Sequence, residues 1–182
     1  MKTTLLTSVL LTILSAIALA QLPQVTVEGN HFVDANGKTI VFRGLCASDP
    51  HKLSKGEHWN QEYFATAKSW GANIIRLPVH PVAWRSRGKE GYLKLLDQGV
   101  AWAAEQGMYV IIDWHSIGNL RTELFQTGFS PLYQTENQYD TTLKETFEFW
   151  RLMAKRYGTN TTVAFFELFN EPMLYNGQLG TC

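Results

Sequence analysis

Apolar and polar positions fall in alternating blocks along this chain. Four near-continuous apolar runs, Ile40–Cys46, Asn73–His80, Tyr109–His115 and Val163–Glu171, are separated by stretches with helical character at Asn60–Trp70, Tyr92–Gln106 and Asp140–Tyr157. Apolar runs this short and this continuous predict parallel strands covered on both faces. Each helical stretch is followed by a glycine, Gly71, Gly107 or Gly158, the residue that closes a helix in the left-handed conformation without a Cβ penalty. Asn60 and Asp140 are placed to cap the first free N–H groups. In the third helix, Leu143, Phe147, Trp150 and Ala154 recur at helical spacing and predict the core-facing stripe. Nearer the N-terminus, Asp34-Ala35-Asn36-Gly37 lies between the strand-like segments Val25–Val33 and Lys38–Phe42, and Asn-Gly in that setting predicts a β-hairpin.

Strand, helix, strand, helix implies parallel crossovers. The strand runs end in polar or reactive residues, and the longest loop, Ser116–Tyr139, follows a strand. That asymmetry predicts an α/β fold of the (β/α)8 TIM-barrel type, whose active face is built from the loops after the strands. An open doubly wound sheet is the alternative, but Gly44-Leu45-Cys46-Ala47 is not the glycine-rich phosphate turn such sheets carry after their first strand. A whole barrel takes about 250 residues. The pattern here supplies the first four βα units after an N-terminal hairpin. A half-barrel leaves unpaired strand edges, so a partial or truncated polypeptide is expected.

Residues 1–20 have the layout of a secretory signal peptide: Lys2, an apolar stretch over Leu5–Ile17, then Ala18-Leu19-Ala20 before the expected cleavage. The stretch is too short for a comfortable membrane span. The expectation is an extracellular, monomeric protein of one catalytic domain over 21–182, free of the membrane once cleaved. Lys plus Arg and Asp plus Glu balance at 16 each, which provides no basic stripe for nucleic acid. Six Trp serve either a large core or platforms for flat ligands, and Trp59, Trp84 and Trp114 fall near loops on the expected active face. Cys46 and Cys182 allow one bridge at most. Asn160-Thr161-Thr162 is a glycosylation sequon.

The chemistry-bearing residues cluster at the strand ends. Pro172 stops the last run, which leaves Asn170 and Glu171 at its carboxyl end. Glu171 there is either a general acid/base or a loop anchor. Burial among Phe165, Phe166 and Phe169 would raise its pKa toward neutrality. Glu167, earlier in the run, suits a structural pair. Arg76 lies inside an apolar strand and needs a carboxylate partner. Either it pairs with Glu167 or Asp113 to hold the fold, or it orients a catalytic carboxylate. His80 and His115 end consecutive strands and can bind hydroxyls or, with Glu171, a metal. No Asp or Glu follows Glu171.

Val41-Phe42-Arg43-Gly44, Asn73–Val79, Ile111-Ile112-Asp113-Trp114-His115 and Leu168-Phe169-Asn170-Glu171-Pro172, in that order and each at a strand end, resemble glycoside hydrolase family 5, the cellulase and mannanase family. The likeness runs from about Val25 to Pro172. It implies a (β/α)8 barrel and retaining hydrolysis of β-linked glucan or mannan, with no cofactor or metal. By this resemblance Glu171 is the acid/base and Asn170 binds the sugar 2-hydroxyl. Arg76 supports the nucleophile, His115 binds substrate, and His80 and Trp114 join the substrate site. The family's nucleophile, a second Glu on the seventh strand, has no counterpart here. Retaining chemistry needs two carboxyl groups about 5–5.5 Å apart, so residues 21–182 alone are expected to be inactive. The cellulase-like members fit Asp113-Trp114-His115 better than the mannanases do. A non-catalytic glycan-binding product and a metal-dependent barrel hydrolase are the alternatives.

Overall fold

The computed structural model of the protein describes residues 22–133 and 136–173. The expected signal peptide and Cys182 lie outside them. Nine strands and five helices are seen among the described residues: β1 Thr26–Glu28, β2 His31–Val33, β3 Gly44–Cys46, α1 Pro50–Lys55, α2 Gln61–Ser69, β4 Ile74–Val79, α3 Pro81–Arg87, α4 Lys89–Glu105, β5 Tyr109–Trp114, β6 Ile117–Asn119, β7 Leu124–Phe125, α5 Leu143–Tyr157, β8 Val163–Glu167 and β9 Glu171–Pro172. The principal sheet is parallel in the order β3-β4-β5-β8. This is the α/β architecture that the apolar rhythm predicts.

The two faces of that sheet differ. Strand residues alternate sides, and one set (Ile75, Leu77, Val79, Ile112, Trp114) is sealed completely under the helices. The other set includes Arg76, Ile111, His115, Phe165 and Glu167, all half-buried. Gly44 sits where β3 closes on β4: a Cβ there would lie 1.9 Å from the Ile74 carbonyl oxygen. At the amino ends of the strands, Phe32, Phe42, Tyr109 and Phe165 meet edge to face with centroids 5.0–5.6 Å apart, a favoured aromatic geometry. This cluster ties the N-terminal hairpin to the sheet.

Several details differ from the sequence pattern. The first hairpin, β1 to β2, turns at Gly29-Asn30, ahead of the Asn36-Gly37 turn. The latter returns the chain only as far as a bridge between Val33 and Thr39. Two short helices were not predicted, α1 and α3, and each begins with proline, which is favoured in the first turn because its missing N–H costs nothing there. Gly158 ends α5 at φ −60°, not in the left-handed region that Gly71 and Gly107 occupy. Thr142, not Asp140, caps α5 by accepting from the Glu145 N–H at 3.0 Å.

The predicted core stripe of α5 is also corrected. The buried residues are Thr146, Phe149, Met153 and Tyr157. Leu143, Phe147 and Ala154 are exposed, and Trp150 lies at the margin. Helix α5 carries two adjacent apolar stripes. One packs on the sheet and against Trp84 and Trp114. The other lines an open groove of about 550 Å³ with Leu168, Phe169 and Pro172.

Candidate active site

The half-buried face of the sheet carries one linked set of polar side chains. Arg76, midway along β4, extends its guanidinium over the carboxyl ends of the neighbouring strands. Nε and Nη2 donate to the two oxygens of Glu167 at 2.7 and 2.9 Å, a bidentate pair. Nη2 also donates to Asn170 Oδ1 at 2.7 Å and lies 2.9 Å from Asp113 Oδ2. Nη1 donates to Cys46 Sγ at 3.2 Å. One side chain of β4 therefore touches a residue from each of β3, β5 and β8. The hydrogen bond to Glu167 raises the pKa of Arg76, already beyond reach of titration, against the opposing effect of burial. Burial pushes the Asp113 carboxyl up, and the neighbouring His115 and Arg76 offset part of that. The two sequence readings of Arg76 thus meet: it pairs with both Glu167 and Asp113, and it does so beside Asn170.

The amide of Asn170 has one orientation available. Its oxygen faces a guanidinium that can only donate, so Nδ2 points away, and that nitrogen is buried with no partner among the described residues. The backbone then carries on into a second ladder. Asn170 N–H donates to the Trp114 carbonyl and Glu171 N–H to that of Ser116, each at 3.1 Å. β9 pairs parallel with β6, inside the loop after β5, and places Glu171 beside Ile117. Glu171 is exposed, not enclosed by Phe165, Phe166 and Phe169 as the sequence suggested. The strand ends at Glu167 and the chain bends before Asn170, which breaks the alternation that the enclosure assumed. The Glu171 carboxylate makes no hydrogen bond or ion pair among the described residues.

His115 and His80 lie together, ring centroids 4.5 Å apart and edge to face. Asp113 Oδ2 holds His115 Nδ1 at 2.6 Å, and Asp49 Oδ2 holds His80 Nδ1 at 3.1 Å. Each imidazole is thus oriented by a carboxylate that is itself buried. Among the described residues no group of three or more His, Cys, Asp or Glu side chains is arranged to hold a metal ion.

Trp114 does not belong to this site. It is fully buried on the opposite face, with Nε1 donating to Thr146 Oγ1 at 3.2 Å and its ring against Phe149. It follows Asp113 and precedes His115, so strand alternation sends it to the helix layer. Trp59 and Trp84 are likewise core, packed on Phe64 and Trp102 and on Tyr92 and Phe149. Cys46 has no disulfide partner among the described residues. Asp49 escaped the sequence reading, although Asp49-Pro50 is an N-cap followed by proline at the first helical position.

A guanidinium, an oriented amide and two buttressed imidazoles at the carboxyl ends of parallel strands, beside an exposed Glu that has no partner among the described residues, give this α/β protein a polar site whose groups can bind hydroxyl-rich ligands and handle protons. Residues 33–180 match the family described as cellulase (glycosyl hydrolase family 5), and the chain belongs to that family. It is 30% identical to endoglucanase A of Butyrivibrio fibrisolvens over 161 residues, covering 82% of this chain and 32% of that protein. It is 28% identical to a glucan 1,3-beta-glucosidase of Candida oleophila over 158 residues, covering 81% of this chain and 34% of the other. Among solved structures, a beta-glucanase of Saccharophagus degradans in complex with cellotetraose superposes with a TM-score of 0.78 at 44% identity, over 88% of this chain and 46% of that one. The chain thus spans about a third of the length of these curated relatives and under half of that solved structure.

Proposed function

We propose that this chain is the first four βα units of the (β/α)8 barrel of a secreted retaining hydrolase acting on β-1,4-linked glucan. Glu171 is the general acid/base. Arg76, Asn170, His115 and His80 bind and orient the sugar. The observation that carries the reading is the Arg76 network: it fixes the amide of Asn170, the residue before Glu171, while the exposed Glu171 carboxylate makes no hydrogen bond or ion pair among the described residues. A carboxylate that makes no salt bridge is free to trade a proton with a glycosidic oxygen. Glu167 cannot serve as the second carboxylate of a retaining pair while both its oxygens are held by Arg76. On this reading the nucleophile belongs to the part of the family's longer barrel that these residues do not span, and residues 21–182 alone are expected to be inactive. β8, which has no further strand neighbour among the described residues, and the apolar groove along Leu143, Phe147 and Trp150 offer a surface for a next βα unit and support this reading. The kinship with endoglucanases and with a glucanase solved with cellotetraose supports glucan as the substrate. The Lys2, Leu5–Ile17 and Ala18-Leu19-Ala20 pattern supports secretion.

The test pairs two proteins: residues 21–182, and the product of the reading frame followed past the Cys182 codon. Reducing-sugar release from soluble cellulose is measured for both. The expected result is silence from the first and turnover from the second, reduced about 10²–10⁴-fold by Glu171→Gln, the usual contribution of a positioned acid/base. Full activity in the Glu171→Gln protein, or Glu171-dependent turnover by residues 21–182, would overturn the assignment.

A further inference from the structure

Asp49 is 2% exposed yet collects donors from three parts of the fold. Its Oδ1 accepts from the N–H groups of His51 and Lys52 at 2.7 and 3.3 Å, capping α1. Its Oδ2 accepts from the His80 N–H at 2.9 Å and the Tyr92 hydroxyl at 3.0 Å, and lies 3.1 Å from His80 Nδ1. An ionised carboxylate only accepts hydrogen bonds, so His80 Nδ1 carries a proton. In the neutral ring Nε2 then bears the lone pair. That nitrogen has no partner among the described residues, and the His80 side chain keeps 15% of its surface exposed. His80 borders a cleft of about 310 Å³, walled also by Lys52, Phe129, Ser130 and Gln138.

We propose that Asp49 is a positioning residue for glycan binding: it locks His80 as the Nδ1–H tautomer, so that Nε2 faces the cleft as a hydrogen-bond acceptor for a sugar hydroxyl. Asp113 and His115 repeat the arrangement on the adjacent strand end. The two rings in contact thus form a matched pair, each turned by a buried carboxylate so that the outward nitrogen accepts. Sugar hydroxyls donate as readily as they accept, and a pair of fixed acceptors selects hydroxyl geometry in a way that two freely rotating rings do not. The inference rests on the glycan reading above, but its first observable does not.

Asp49→Asn separates the roles of this carboxylate. With its oxygen on the α1 N–H groups the new amide turns its NH₂ to His80 Nδ1, which then accepts only as the Nε2–H tautomer; Asp49→Ala removes the acceptor on both sides and frees the ring whichever way the amide would turn. Imidazole ¹⁵N NMR of the wild-type chain, one to two units above the ordinary histidine pKa of about 6.5, is expected to show Nδ1–H at His80. Asp49→Asn is expected to invert that ring alone. Tyr92→Phe, which removes a different donor from the same oxygen, leaves the tautomer unchanged. Cellotetraose affinity, read by calorimetry, falls about 3- to 10-fold in Asp49→Asn, the worth of one neutral hydrogen bond. It falls equally in His80→Ala, and the double variant loses no more than either alone. An Nε2–H ring in the wild type overturns the proposal even if neither Asp49 variant folds, as does a ring still held as Nδ1–H in a folded Asp49→Ala. Unchanged affinity in both single variants overturns the role of His80 in binding. Absence of cellotetraose binding in the wild type overturns the glycan reading and the sugar-facing role of His80, while the tautomer measurement still decides what Asp49 does.

Discussion

Helix α5 offers a direct test of which of its two apolar stripes holds the chain together. Phe149 is 1% exposed, and its ring meets Trp114 at 4.3 Å, Trp150 at 5.0 Å and Trp84 at 5.1 Å. Truncating such a side chain removes its burial and leaves a cavity, a cost of about 3–5 kcal/mol. Phe147, two residues earlier, is 59% exposed. Complete burial of a Phe is worth about 1.5–3 kcal/mol, so the two-fifths of Phe147 that is covered is worth about 0.6–1.2 kcal/mol. The better helix propensity of alanine returns about 0.5 kcal/mol of that. In urea, with a slope of about 2 kcal/mol per M, Phe149→Ala should lower the unfolding midpoint by about 1.5–2.5 M. Phe147→Ala should lower it by less than about 0.5 M. Equal shifts for the two variants would refute the assignment of the core. In the longer protein, where the groove beside Phe147 is proposed to be filled, the cost of Phe147→Ala should rise toward that of Phe149→Ala.

Two further outcomes follow from the same packing. Gly44→Ala places a methyl group against the Ile74 carbonyl and should destabilise the chain by about 3 kcal/mol, the upper end of overpacking, read as a lower urea midpoint. His51 is 5% exposed, and burial holds its pKa below 6.5 against the pull of Asp49, with Arg87 and Lys55 lowering it further. The unfolded chain therefore takes up this proton first. The stability His51 contributes is complete above pH 6.5 and is lost as pH falls through its lowered folded value. His51→Gln should flatten that part of the stability profile measured by thermal unfolding, and an unchanged slope would discount the burial argument.

What the sequence could show depended on whether a signal was local. The strands β4 and β5 are buried along most of their length and read as near-continuous apolar runs, so their positions were legible to within a residue. Helix α2 was legible from Asn60, whose side chain accepts from the Tyr63 N–H as a cap should. The α5 stripe was misread because periodicity locates an apolar face but not what covers it. Leu143, Phe147 and Trp150 satisfy the pattern as well as Phe149 and Met153 do, and only the position of the sheet distinguishes them. Trp114 was misplaced for a related reason. An aromatic residue near a loop suggests a platform, but the parity of the strand decides its side, and Asp113 and His115 had already taken the site face. Glu171 was singled out by its neighbours Asn170 and Pro172. Its exposure was not legible, because the bend after Glu167 leaves no mark in composition. Asp49 was legible in the Asp-Pro pair and was missed because its partner His80 lies 31 positions away.

Arg76 shows why structural and functional readings of a buried charge need not compete. A guanidinium inside an apolar strand is tolerated only if its donors are met, and here they are met by Glu167, Asn170 and Cys46, with Asp113 in ionic contact. Those partners come from the ends of three neighbouring strands and the turn that follows the last. Meeting the donors therefore also fixes how those ends sit relative to one another. It fixes the amide of Asn170, and through Asp113 the ring of His115. Rigid placement of a site's side chains by a surrounding network is what binding and proton transfer both require. The residue that makes the open sheet coherent at this end is thus the one that gives the site its geometry, and a substitution there disturbs both at once. Asp49 does the corresponding work for His80 from outside the Arg76 network. Its hydrogen bonds reach α1, α4 and the end of β4 but touch none of the groups that Arg76 holds, which is why it offers a cleaner handle on ligand binding than the arginine does.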